Sequence, residues 1–304
     1  MVETLAAVIR LLIAMALAPL LLGMINRTKA VMAGRRGQPL LQPYYDLRKL
    51  LGKGAVYSRT TTWVFKLGPL GTLAAVAVAA AIVPWGGLGA PVSFFGDFIL
   101  MAYMLGLGRF LTVIAALDTG SSFEGMGASR EVYFSALAEP TLLLGLVALA
   151  RLGGAMSLSA MYANMSPQVW AAAGPALLLI VAALIVVALT EASRIPVDDP
   201  TTHLELTMIH EVMVLDHGGP DFALIGYGAA LKLWTLLALI AGLVIPHTGR
   251  MWLDAAAFLA VMAGLAVVIG MIESTMARLR LVRVPQMLLG AGALAVLAIL
   301  LALR

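Results

Sequence analysis

Cysteine is absent from this chain of 304 residues. The chain therefore has no disulfide bond, no cysteine-ligated iron–sulfur cluster and no thiolate zinc site. Charged residues are also scarce, at 12% of the sequence, whereas 62% of the residues are hydrophobic. This balance excludes an ordinary soluble protein. If the chain takes part in redox chemistry, the electron carriers belong to other subunits.

Complete nucleotide and metal motifs are missing as well. His210-Glu211 begins like the zinc-protease pattern, but Val214 occupies the position of the second histidine. Gly125 and Gly127 match no dinucleotide fingerprint because no strand precedes them. There is no Walker A sequence. We expect this chain to bind no metal and no cofactor of its own.

Long apolar runs fill most of the sequence, and the mean hydropathy is +0.98. Eight runs reach the roughly 20 residues that cross a bilayer, and hydrocarbon forces such segments to be helices. The sequence predicts an all-α polytopic membrane protein with a single membrane domain over residues 1–304. The first run lacks a basic leader and a cleavage site, so we interpret it as a retained helix. The predicted spans are 5–25, 67–84, 93–117, 132–150, 170–190, 221–245, 252–275 and 285–303.

Basic residues are concentrated between the first two predicted spans. Residues 26–66 contain nine lysines and arginines but a single acid, Asp46. The positive-inside rule makes this loop cytoplasmic and places both termini on the non-cytoplasmic side. A loop facing lipid headgroups or a partner is favoured over a nucleic-acid site. The predicted cytoplasmic loops are about 26–66, 118–131, 191–220 and 276–284.

Two of these loops carry local structural signals. Apolar residues at helical spacing predict an amphipathic helix over 44–51, lying along the membrane interface. Glycines in 118–131 predict a break in the helix, after which Ser129 caps the next one.

The loop after Glu191 is the most polar part of the chain. Pro196 and Pro200 interrupt the helix there, and we predict a short helix from about residue 201 to Asp216. Two histidines, which relay protons readily near neutral pH, share this loop with several acids. A lone histidine would be an ordinary surface group, whereas this cluster favours a function. The candidates for a proton or ion path in this loop are Glu191, His203, Glu205, His210 and Glu211.

Acids also lie in or beside the predicted spans. Glu139 precedes Pro140 within the fourth span, where a carboxyl group suits a proton carrier unless a cation neutralises it. Glu131 lies two turns earlier on roughly the same helical face, although it could equally stabilise the helix dipole. Glu273, near the end of the seventh span, is either a path residue or a partner in interfacial salt bridges.

Two cations inside the predicted spans, Arg109 and Lys232, are expected to neutralise buried acids. Arg194 follows Glu191 by three residues, so an ion pair between them on one helical face is plausible.

Several motifs resemble a known family. The pattern Glu191-x-x-Arg194-x-Pro196-x-Asp198 resembles the signature of respiratory complex I subunit 1, the membrane subunit that closes the quinone chamber. Residues 35–50 resemble that family's first cytoplasmic loop. Residues 125–131, 138–140 and 203–211 are similar to the version found in formate hydrogenlyase and other energy-converting nickel–iron hydrogenases.

One departure separates the two branches of this family. Thr201 and His203 occupy positions where the quinone-reducing branch usually has glutamates. This difference favours the hydrogenase branch and argues against quinone binding.

The resemblance implies a membrane-anchor and proton- or ion-coupling subunit of a hydrogenase complex in a prokaryotic cytoplasmic (inner) membrane. Its expected partners are the large and small hydrogenase subunits, which would hold the nickel–iron and iron–sulfur clusters, and antiporter-like membrane subunits. The predicted path residues are Glu131, Glu139, Glu191, His203, Glu205, His210, Glu211 and Glu273. Those predicted at the chamber mouth or for partner docking are Arg35, Arg36, Asp46, Arg130, Arg194 and Asp198.

Two alternatives stay open at this point. One is a quinone-chamber subunit of a complex I-like NADH dehydrogenase. The other is a stand-alone ion transporter, for which inverted repeats would be expected and none is found in the sequence.

Overall fold

The computed structural model describes residues 2–199, 208–245 and 250–303. Within these ranges the chain forms α-helices joined by turns and contains no β-strand. A short 3₁₀ turn, Leu281–Arg283, precedes the last helix. The helices are α1 (Val2–Met32), α2 (Gln42–Leu51), α3 (Trp63–Ile82), α4 (Asp97–Asp118), α5 (Ser122–Gly153), α6 (Leu158–Ala163), α7 (Pro167–Glu191), α8 (His210–Met213), α9 (Gly219–Val244), α10 (Met251–Thr275) and α11 (Val284–Ala302).

Eight of these helices are long and apolar enough to cross a membrane, namely α1, α3, α4, α5, α7, α9, α10 and α11. This confirms the predicted all-α architecture with eight spans. The largest differences from the predicted bounds are in two spans, since α1 continues to Met32 and α5 already begins at Ser122. α9 is the most enclosed span and packs against α1, α3, α7 and α10, so it lies at the centre of the bundle.

The predicted break in 118–131 is confirmed only at residues 119–121, and the predicted helix start at Ser129 is wrong, because α5 runs without interruption through Gly125, Gly127 and Ser129. Gly127 serves close packing instead. A Cβ atom there would lie 2.3 Å from Cγ1 of Val212 and 2.8 Å from the carbonyl oxygen of Ile209. Only glycine therefore allows the segment that contains α8 to approach α5 this closely.

The predicted helix from residue 201 to Asp216 is also wrong over its described part. The helical residues there are His210–Met213 alone. The backbone N–H groups of Ile209 and His210 donate to the Asp198 carboxylate at 3.2 and 3.0 Å instead of to helical carbonyl groups. A buried side chain thus replaces the hydrogen bonds that a longer helix would have made.

We call one end of the bundle the basic end, because it carries the connecting segments 33–62, 119–121, 192–199, 208–218 and 276–283, which together are basic. The predicted amphipathic helix is confirmed here as α2, which has no buried side chain. The carboxylate of Asp118 fastens the start of α3 at this end, accepting from the Thr62 backbone N–H at 2.6 Å. The assignment of the basic end to the cytoplasm stays a prediction from the charge distribution.

Candidate functional site

A buried arginine joins three acids in the middle of the bundle. Arg109 on α4 is 8% exposed. Its Nη1 atom pairs with Glu139 and its Nη2 atom with Glu191, while Nε lies 3.5 Å from Oε1 of Glu131. Lys232 on α9 contacts the other oxygen of Glu191 at 2.7 Å. These pairs confirm that the two intramembrane cations neutralise buried acids.

We call these five residues, Arg109, Glu131, Glu139, Glu191 and Lys232, the Arg109 network. The acids come from two helices, since Glu131 and Glu139 both project from α5 toward Arg109 whereas Glu191 ends α7. The predicted common face of Glu131 and Glu139 is confirmed by this shared partner. Buried ionised groups are tolerated only when partners compensate the loss of water.

Empty space adjoins the Arg109 network on the side of the basic end. A cavity of about 50 Å³ is bordered by Arg109, Glu131, Glu191 and Lys232, together with Ser193 and His210. The predicted path residue His210 therefore does face the network. A second, much smaller cavity of about 10 Å³ is bordered by Glu131, Glu191 and Asp198. The first cavity has room for water beside these carboxylates, whereas the second offers the space of about one water molecule.

Asp198 organises the turn that follows α7. Its side chain is buried, and one oxygen accepts from the backbone N–H groups of Ile209 and His210. The other oxygen accepts from the Asp199 N–H at 2.9 Å and pairs with Arg278 at the same distance. The carboxylate thus binds the backbone at Asp199 and again at Ile209 and His210. Its placement beside the second cavity fits the predicted position at a chamber mouth.

The expected ion pair between Glu191 and Arg194 is not formed. The helix ends at Glu191, and Ser193 adopts a left-handed conformation with φ of 52°. This turn directs Arg194 toward Glu273, with Nη1 3.3 Å from Oε1. Lys29, from the far end of α1, approaches the second oxygen of Glu273 at 2.8 Å. Glu273 therefore belongs to a separate ion cluster at the basic end.

Glu139 differs from the other acids of the network because it also reaches the outer surface. Its side chain is 43% exposed. It lies in a groove of about 510 Å³ between α4 and α5 that is bordered by Tyr103, Gly106, Phe110 and Pro140. The rings of Tyr103 and Phe110 are exposed beside it. A half-exposed carboxylate at this depth would face hydrocarbon unless another chain covers it.

The remaining predicted residues lie at the surface of the basic end. Arg35, Arg36 and Asp46 are exposed, and Asp46 accepts from the Gln42 side chain at 2.8 Å. Arg130 donates to the Met208 carbonyl oxygen at 2.9 Å and so fastens the described edge of the polar loop to α5. Glu211 is partly exposed on α8 and does not border either cavity. His203 and Glu205 lie outside the described residues.

Sequence reasoning overlooked two contributors to this site. Lys29 was counted as one of many loop cations, yet it is the partner of Glu273. Ser193 borders both cavities. Its position directly after the predicted end of the helix at Glu191 was the available signal.

Comparison with known proteins gives a consistent picture. The sequence model of the family described as NADH dehydrogenase matches residues 4–303. Formate hydrogenlyase subunit 4 of Escherichia coli (strain K12) is 33% identical over 284 residues, covering 90% of each chain. Hydrogenase-4 component C of the same organism is 31% identical over 240 residues, covering 79% of this chain and 75% of that protein.

A solved structure shares the fold. A chain of the membrane-bound sulfane sulfur reductase, an archaeal respiratory membrane complex, superimposes with a TM-score of 0.85. The match covers 99% of this chain and 100% of that chain at 19% identity. Similarity at this level of identity concerns the arrangement of the helices.

Proposed function

This chain belongs to the NADH dehydrogenase family, and from that premise we propose that it is the membrane-anchor and proton- or ion-coupling subunit of a nickel–iron hydrogenase complex of the formate hydrogenlyase type. The names of its two relatives support the hydrogenase branch. The proposed location is the inner membrane of a prokaryote, with the basic end in the cytoplasm, in accord with the eight apolar helices and the loop charges.

The observation that carries the proposal is the charge balance of the Arg109 network. Three carboxylates share two cations, Arg109 and Lys232, which leaves one negative charge in excess. A proton bound by any of the three acids would neutralise the network, and the adjoining cavities provide room for water to deliver it. Such an arrangement can bind and release a proton when the electrostatic field beside it changes.

A polar route leads from the basic end to the lateral groove. It begins at Asp198, continues to Glu131 and Glu191, which border the small second cavity together with Asp198, and reaches Glu139 through the shared guanidinium of Arg109. Redox events in a peripheral arm docked at the basic end would change the field at Asp198. The proton affinities of the three carboxylates would shift in response and move charge along the route.

The two exposed ends of this route suggest where partners bind. Arg35 and Arg36 form a basic surface suited to the hydrogenase large and small subunits, which would carry the nickel–iron and iron–sulfur clusters. The groove at Glu139 suits an antiporter-like membrane subunit, because the partner's helix would shield the half-exposed carboxylate from lipid. The chain would thus connect the peripheral arm to the ion-moving subunits.

The test uses the complete complex in inverted membrane vesicles. We expect Glu139→Gln to leave the complex assembled, since glutamine preserves the size and the hydrogen bond to Arg109. Charge movement per turnover should fall about a hundredfold, as for loss of a positioned proton-transfer group. Hydrogen production and co-purification of the partner subunits are measured in parallel. Glu139→Asp, which keeps a carboxyl group, is the matched control and should retain part of the charge movement.

Unchanged charge movement in Glu139→Gln would reject the path through Glu139. Purification without any hydrogenase or antiporter-like subunit would reject the proposed complex.

A further inference from the structure

One buried carboxylate at the basic end lies outside the Arg109 network. Glu124, in the first turn of α5, is 1% exposed. Its Oε1 atom accepts from the backbone N–H of Asp216 at 3.3 Å. Its Oε2 atom accepts no hydrogen bond from any residue within the described ranges. The Thr119 hydroxyl lies beside the carboxylate, but it donates its proton to the Ala116 carbonyl oxygen at 2.7 Å.

No cation compensates Glu124 in the part of the chain that the structure describes. The charged group that acts on it is another acid, Asp216, which is exposed at the surface. The turn that holds Asp216 also contributes His217, and α9 begins nearby with Asp221. Burial, the largest influence on Glu124, and the neighbouring acid favour the neutral carboxyl group, against the opposing influence of the Thr119 hydroxyl and the Asp216 N–H group. The unpartnered Oε2 is the atom that can carry the proton.

Glu124 is aligned with the Arg109 network along α5. Ala128 follows it by four residues and precedes Glu131 by three, so all three residues lie on one helical face. The seven residues from Glu124 to Glu131 correspond to about 10 Å along the helix. Ala128 packs in an apolar cluster whose other buried members are Val113, Ala116, Met213, Val214 and Ile225.

This apolar cluster separates Glu124 from the cavity beside the network. Met213 and Ile225 belong to the cluster and also border the cavity of about 50 Å³. Glu124 therefore lies on the outer side of the cluster, close to the surface at Asp216, and Glu131 lies on the inner side. In this conformation a proton on Glu124 is held apart from the network.

We propose that Glu124 is a proton-binding site that takes up a proton at the basic end and supplies it to the Arg109 network. Asp216 connects the site with bulk water. In the transfer, the O–H bond of Glu124 breaks and a carboxylate of the network gains the proton, with water molecules bridging the apolar cluster. The destination of the proton rests on the proposed function, whereas proton binding by Glu124 does not.

Infrared difference spectroscopy of the purified complex measures proton binding directly. A protonated carboxylic acid has a carbonyl stretching band that a carboxylate and an amide lack. We expect that band at neutral pH in the wild type and its loss in Glu124→Gln, which keeps the acceptor for the Asp216 N–H group. Glu124→Asp should shift the band without abolishing it. Asp97→Asn is the matched control, because Asp97 is equally buried but accepts hydrogen bonds on both oxygens.

The same variants are then compared for charge movement in vesicles. We expect Glu124→Gln to lower it about a hundredfold, as for other proton-transfer groups, and Asp97→Asn to leave it unchanged.

An unchanged infrared spectrum in Glu124→Gln would overturn the inference. A lost band with normal charge movement would overturn the transfer to the network. If the wild-type complex moved no charge at all, the proposed function would fail, while the infrared result would still decide whether Glu124 binds a proton.

Discussion

Two buried carboxylates, one at the end opposite the basic end and one in the middle of the bundle, are stabilised in different ways. Asp97, at the end opposite the basic end, is 0% exposed and accepts from the Leu158 N–H and the Ser157 hydroxyl, both at 2.8 Å. These donors are neutral, and among the described residues it has no cationic partner. Glu191 instead has two cationic partners and borders two cavities.

The difference indicates which acids can exchange a proton. The neutral donors around Asp97 fix one geometry and join α4 to α6, so its charge serves the fold. Around Glu191 the partners are themselves charged and shared with other acids. A change in any one charge there alters the proton affinity of the others.

The largest effect is expected from a change in the Arg109 network. Replacing Arg109 with methionine would leave three carboxylates without their shared cation. Breaking a buried ion pair costs about 3–5 kcal/mol, so we expect little folded protein in the membrane. Arg109→Lys keeps the charge and should recover part of the yield. Membrane abundance and thermal stability are the measurements, and wild-type stability of Arg109→Met would show that the network does not hold the helices.

A smaller effect is expected at the opposite end. Asp97→Asn should lower the free energy of unfolding by about 1–3 kcal/mol, because one buried hydrogen-bond partner is lost or mismatched. Charge movement per turnover by the surviving complex should match the wild type. Thermal unfolding and vesicle assays measure the two quantities separately. A stable Asp97→Asn protein with defective charge movement would contradict the distinction between Asp97, which serves the fold, and the acids of the Arg109 network.

The smallest effect is expected for a histidine that is buried in its neutral form at the basic end. His217 is 7% exposed and stacks on Phe65 with ring centroids 3.8 Å apart. Burial lowers its pKa, against the opposing influence of Asp221 and Asp216. The unfolded chain therefore binds the proton first, and this histidine makes the free energy of unfolding fall as the pH drops below about 6.5.

His217→Gln should consequently lose less stability on acidification than the wild type does. Melting temperatures of the purified complex above and below the ordinary histidine pKa provide the measurement. An identical pH dependence in the two proteins would argue against a neutral, buried His217.

The sequence was sufficient to predict the main architecture and part of the site. Apolar runs of bilayer length specify eight helices whatever their partners are. The need to neutralise intramembrane charge also predicted that Arg109 and Lys232 would meet acids. Which acids they would meet depended on helix packing, which no local spacing encodes.

The predictions that failed assumed that local patterns continue unchanged. The expected pair of Glu191 with Arg194 required a helix through both residues, but the left-handed turn at Ser193 separates them. The flexibility of Gly127 predicted a break in the helix, whereas its lack of a side chain allows close contact with Val212. Lys29 and Glu273 lie near opposite ends of the chain, so only the folded bundle brings them together.

Reliance on a single guanidinium restricts how this protein can vary. An acid of the Arg109 network can be replaced alone, because two others continue to hold the arginine in place. A neutral residue can replace Arg109 only together with changes in its acids, since otherwise the bundle retains an unbalanced cluster of negative charge. Related sequences should therefore keep or lose Arg109 and its acidic partners together.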